Sequence, residues 1–191
     1  MRKLKILCLL VCVLALTACD NSKSAAYQEQ LNLYETYYRA LLNEDRFQTS
    51  SRFYSITTEI APSDEGYQYV VTIDDAKIAM YDVQIMVVEN EEPFNLDVMK
   101  PSAGIFDGDY IFIPNQARED HGFKKGIVVG RLDLQEDNVT IRVLVAWKNY
   151  TKLESFKEVF EFELKYEKPV EEPEEDPGDN PVDDTAQNET P

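Results

Sequence analysis

The sequence predicts a mainly β protein, an antiparallel β-sandwich of about seven strands preceded by one amphipathic α-helix. Three features predict it. Between residues 52 and 166, large apolar side chains alternate with polar ones in short runs divided by Pro, Gly, Asp and Asn turn signals. Only residues 25–43 show a clear helical period. No cysteine follows Cys19, so the domain needs a hydrophobic core of its own rather than a disulfide framework.

The chain opens on a targeting segment, residues 1–18. Arg2, Lys3 and Lys5 form a positive n-region, and Ile6 to Leu16 is an apolar run of 11 residues, the length of a signal peptide and short for a membrane-spanning helix. Leu16-Thr17-Ala18-Cys19 closes it. This tetrapeptide resembles the lipobox of bacterial lipoproteins. The resemblance implies diacylglycerol on the Cys19 sulfur, cleavage after Ala18, and a fatty acyl chain such as palmitate on the new amino terminus. The covalent lipid would hold the protein on the extracytoplasmic face of the cell membrane. An ordinary secretory signal cleaved after Ala18, or an uncleaved anchor, is the competing reading. Residues 19–24 form a short polar tether, in which Asp20 resembles the inner-membrane retention signal of bacteria with two membranes. In single-membrane bacteria that position has no such meaning.

In the helical stretch 25–43, Tyr27, Leu31, Tyr34, Tyr38 and Leu41 recur at spacings of four, three, four and three, a stripe that covers one side of a sheet. Ser24 is the expected N-cap. The period then changes to two. Tyr54, Ile56, Thr58 and Ile60 share one strand face, Pro62 to Gly66 is a turn, and Tyr67, Tyr69, Val71 and Ile73 share the face of the next strand. Ile78 to Glu89 is nearly continuous in apolar residues, which predicts a strand covered on both faces. Residues 90–108 read as loop, Asp109 to Ile113 as a short strand, and Gly126 to Leu134 as another. After a turn at Asp137-Asn138, Val139, Ile141, Val143, Val145 and Trp147 form an inward row, followed by Phe156, Phe160, Phe162, Leu164 and Tyr166 in the last strand. The number and spacing of strands suggest an immunoglobulin-like sandwich over 52–166. A fibronectin-III-like, bacterial Ig-like or C2-like sandwich fits, and a small open barrel is the alternative. Antibody-type domains are excluded, because the Cys-Trp-Cys framework is missing.

Residues 168–191 differ in kind. Five of the nine prolines and nine acidic residues fall between Pro169 and Pro191, a composition too poor in apolar side chains to offset its chain entropy, so a disordered solubilising tail is expected. An electrostatic arm for a basic partner or for divalent cations is the alternative. The full chain carries a formal charge of -17. The first 18 residues hold three of its 19 basic residues and none of its 36 acidic ones, so the remainder stands at 16 against 36, or -20. Phosphate binding needs a basic face, so nucleic acid is not the expected partner.

Few residues offer chemistry. Cys8, Cys12 and Cys19 all lie in the first 19 residues, which leaves no CxxC metal or redox motif and no thiol nucleophile beyond the anchor. His121 is the one histidine, so multi-histidine zinc sites are impossible. It sits in a loop at Arg118-Glu119-Asp120-His121-Gly122 and reads as exposed. A catalytic role would need a serine and a carboxylate brought to it, and no GxSxG elbow is present. Asp107, Asp109, Glu119 and Asp120 flank the short strand, and Asp74-Asp75 another turn. Such loop carboxylates are the weak candidates for calcium, without the EF-hand pattern. Paired carboxylates for glycoside hydrolysis have no local motif behind them. Gly122, Gly126 and Gly130 recur every four residues, hence on one face if the segment stays extended, which points to a close backbone approach or a bulge.

The stretches Ala79 to Val83, Ile113 to Gln116, Gly122 to Ile127 and Val143 to Trp147 resemble those of small, uncharacterised lipoproteins of low-GC Gram-positive bacteria. That resemblance would span residues 27–166, and it implies no activity and no catalytic residue. The expected function is a membrane-anchored, non-enzymatic binding or assembly module with a protein partner. A calcium- or ligand-binding accessory lipoprotein of a transporter or cell-wall enzyme is the second expectation, and an unrecognised hydrolase the third.

Overall fold

Residues 25–42 form helix α1, and eight strands follow in two antiparallel sheets stacked as a sandwich. The computed structural model describes residues 25–116, 118 and 121–168. The expected signal segment, tether, Ser24 cap and acidic tail from Pro169 onward lie outside the described residues, as do Glu119 and Asp120. The strands are β1 (Ser55–Ser63), β2 (Gly66–Asp74), β3 (Met80–Glu89), β4 (Ser102–Ala103), β5 (Tyr110–Phe112), β6 (Gly126–Leu134), β7 (Asn138–Lys148) and β8 (Ser155–Lys165). One sheet has the order β1-β2-β6 and the other β4-β3-β7-β8, with β5 lying beyond β4 along the same edge of β3.

The alternations decide which faces meet. Val139, Ile141, Val143, Val145 and Trp147 of β7 point inward with Val83, Ile85 and Val87 of β3. They meet Tyr69, Val71 and Ile73 of β2 and Ile127 and Val129 of β6. Each fully buried apolar side chain of this size contributes about 1.5–3 kcal/mol relative to exposure. The opposite parity of β3 and β7, Met86, Val88, Leu144 and Ala146, is equally buried, because α1 lies on the outer face of the larger sheet with Tyr34, Tyr38 and Leu41. The continuous apolar run of β3 therefore has the cause expected of it: it is covered on both sides. Arg142, on that outer face, donates from Nη1 to the carbonyls of Leu41 at 3.3 Å and Leu42 at 3.5 Å, satisfying the carbonyl end of the helix with a cation.

Three local expectations change. Residues 90–108 are not all loop, since Ser102 and Ala103 pair with Met86 and Ile85. Phe156 keeps the parity of the inner row and stacks on Trp147 at 5.7 Å, but at the strand's start it remains 43% exposed rather than buried. Gly122 is not on the β6 face but in the preceding turn at φ +72°. Gly130 does show a close approach: a Cβ there would lie 2.1 Å from the Tyr69 carbonyl oxygen. The β2–β6 register slips by one residue beside it, between Tyr67 and Tyr69, the sign of a bulge.

Candidate functional site

Strand β6 is paired on one edge only. Its other edge has no strand beside it among the described residues and faces β4 and β5 across a groove of about 540 Å³. Pro101, Ala103, Asp107, Tyr110, Lys124 and Lys125 line the groove together with the first half of β6 itself. An unpaired edge presents backbone N–H and C=O groups that an added strand would satisfy. On the outer face of the same strand Val128 is 63% and Leu132 65% exposed, two large apolar side chains that no part of the sandwich covers. The arrangement suits the docking of an extended chain, with main-chain hydrogen bonds along β6 and apolar contacts above it.

The wall of the groove explains Asp107. Its Oδ1 accepts from the Gly104 N–H at 2.7 Å and its Oδ2 from the Tyr110 hydroxyl at 2.5 Å. Tyr110's hydroxyl is raised above its usual range first by that hydrogen bond and then by burial. Both Asp107 oxygens thus have protein donors and hold the 104–110 loop in shape, and a calcium ion would have to displace them. Asp109 lies on that loop, at its exposed side. Asp74 ends β2 and Asp75, at φ +48°, pairs with Lys77. Among the described residues no three His, Cys, Asp or Glu side chains converge as a metal site. His121 is exposed, its ring 6.0 Å from that of Phe123. No described helix is long and apolar enough to cross a membrane.

A buried ionic cluster at the far end of the groove has no counterpart in the sequence reading. Glu89, the last residue of β3, is 1% exposed; its Oε1 accepts from the Tyr69 hydroxyl at 2.7 Å, and its Oε2 from Lys100 Nζ and Arg131 Nη1, both at 2.8 Å. Lys100 also meets Glu92 at 2.6 Å, and Arg131 meets Asp133 at 2.7 Å. Tyr34 of the helix closes the cluster by accepting the Lys100 backbone N–H at 2.7 Å. Burial alone would push the Glu89 carboxyl up, but hydrogen bonds from Lys100, Tyr69 and Arg131 outweigh it and hold it below the usual range. Lys100 is lifted above its usual range against the same burial penalty by Glu89 and Glu92. Tyr69 is raised, by burial first and then by the Glu89 charge. All of these groups are satisfied by one another, so the cluster joins helix, both sheets and the 90–101 segment rather than offering a reactive group. Its partners lie 11, 20 and 42 residues from Glu89 in sequence, separations that no local pattern marks.

Comparison of the chain with protein-family models, with curated proteins and with solved structures returned no match.

Proposed function

We propose that this chain is an extracytoplasmic lipoprotein anchored through Cys19, acting as a non-enzymatic binding or assembly module that takes a protein partner along the free edge of β6. The observation behind the reading is that edge: without a strand beside it among the described residues, bordered by a groove, and carrying Val128 and Leu132 in solvent. The strand order supports an immunoglobulin-like connectivity. Reading β1, β2 and β6 as strands A, B and E, and β3, β7 and β8 as C, F and G, puts β4 in the place of C′. Such sandwiches often carry a further strand, D, beside E. Here the groove occupies that place, so a partner's strand would fill a position the fold is built to accept.

The test is photo-crosslinking in cells from Val128 and Leu132, each replaced by a photoreactive residue, with exposed Glu163 on β8 as control. A discrete adduct with one integral-membrane or cell-wall protein from both β6 positions and not from position 163 is expected. Equal or absent labelling at all three positions would sink the assignment.

A further inference from the structure

Carboxylates outnumber cations in this chain by 36 to 19, and many of its cations stand beside one. Lys77 meets Asp75, Lys100 meets Glu89 and Glu92, Arg131 meets Asp133, and Lys148 and Lys152 share Asp82. Lys124 and Lys125 are different. They are adjacent, both line the groove beside β6, and neither forms an ion pair among the described residues. The one carboxylate in the same wall, Asp107, has its oxygens occupied by the Gly104 N–H and the Tyr110 hydroxyl. The groove wall thus holds two cations against one anion, in a chain whose formal charge is -17.

The backbone fixes where the two lysines stand. The Ile111 N–H donates to the Gly122 carbonyl at 3.1 Å and the Lys124 N–H to the Ile111 carbonyl at 2.8 Å, so this stretch is tied to β5. Lys124 Nζ lies 5.8 Å from the centre of the Tyr110 ring, on the groove wall. Lys125 is exposed and directly precedes Gly126, where β6 begins. Beyond the lysines the surface continues to Asp74, at the end of β2, and to Asp75, which is taken by Lys77. The opposite end of the groove has another character. Past Pro101 and Gly130 it reaches Val98, 51% exposed, and Met99, 44% exposed, and the cations there, Lys100 and Arg131, already have carboxylate partners.

We infer that the extended segment accepted by β6 is acidic at the end lying over Lys124 and Lys125 and apolar at the end lying over Val98 and Met99. The inference rests on the docking of a partner along β6. A strand edge offers its N–H and C=O groups to any sequence, so side chains beside the edge make the choice between partners. Carboxylates of the incoming segment would neutralise two cations that the chain itself leaves unmatched, and a basic segment would be repelled by them. The nine residues of β6 span about 30 Å, enough to hold both ends of such a segment at once.

The test is photo-crosslinking in cells from a photoreactive residue at position 128, in the parent chain and in the double variant Lys124→Glu with Lys125→Glu. Lys157→Glu with Lys165→Glu, at exposed positions of β8, makes the same change of charge away from the groove. Adduct yield is expected to fall several-fold in the first double variant and to hold in the second. Sequencing of the crosslinked partner peptide by mass spectrometry should find Asp or Glu residues beside the attachment point. An undiminished yield in the Lys124→Glu, Lys125→Glu chain, an equal fall in both double variants, or a partner peptide without acidic residues overturns the acidic segment and leaves docking on β6 standing. Absence of any adduct from position 128 of the parent overturns both.

Discussion

Glu89 shows how a single residue can tie together elements that sequence keeps apart. Its carboxylate is covered by the fold and receives three donors, from Lys100, Tyr69 and Arg131. Removing one partner of such a buried pair leaves a desolvated charge, so Lys100→Met should cost about 3 kcal/mol in urea unfolding. Glu89→Leu combined with Lys100→Met should cost less than the two single changes added together, because the double variant no longer buries that unmatched pair. The pH dependence follows from the directions of the shifts. Glu89 is depressed from 4.5, so its stabilisation is complete above that value and disappears as pH falls through the lower folded value. Lys100 is raised from 10.5, so its share persists below that value and is lost only as pH rises through the higher folded one. Melting temperatures of the parent and Lys100→Met should therefore differ most on a plateau from about pH 5 to pH 10 and converge in acid. A gap that stayed constant down to pH 2 would show that the cluster is not what the substitution breaks.

At the scale of the element, α1 and β6 behave differently because the apolar stripe of one is covered by the large sheet, whereas the other, paired with β2, has no strand on its second edge among the described residues. The stripe of α1 is spent on the outer face of the large sheet, where Tyr38 also donates to the Glu92 carbonyl at 2.9 Å. Tyr38→Ala should cost about 3–5 kcal/mol, as for other large aromatics cut from a core. Tyr38→Phe should cost about 1 kcal/mol for the lost hydrogen bond. Chemical denaturation of the two variants separates packing from hydrogen bonding, and equal costs would mean that the ring contributes little. The helix stripe was readable because five apolar residues at helical spacing leave few alternatives, and the inner row of β7 because five alternating residues do the same. Strand β4 was not, since two residues, Ser102 and Ala103, have no period. Phe156 kept the parity of the inner row but lies at the open end of the sheet, so the pattern overstated its burial.

For the whole molecule, the proposed anchor and the observed shape belong to different parts of the chain. The sandwich with its helix is stabilised by two apolar layers, one between the sheets and one between the larger sheet and α1. The proposed anchor lies outside that fold, in a short segment read from order rather than from packing. Each buried acyl methylene adds about 0.8 kcal/mol of membrane affinity, and two or three chains hold a protein stably. Cys19→Ala should accordingly move the protein from the membrane fraction to the soluble one and abolish incorporation of a palmitate analogue. Retention of both membrane binding and label would remove the anchor from the account. Crosslinking from β6 should then weaken too, if the partner shares the membrane.

Local apolar periodicity was enough to read the class of the fold and the order of its main elements. Apolar period is a local property, and a face that must be buried has to repeat every two or every 3.6 residues wherever it is buried. The sequence also singled out Cys19, whose context is four consecutive residues. Long-range packing sets that α1 covers β3 and β7 rather than the first hairpin, that Glu89 meets Lys100 and Arg131, and that one edge of β6 has no strand beside it among the described residues. These depend on which strands become neighbours, a matter of long-range pairing energy that the spacing of residues along one strand does not encode.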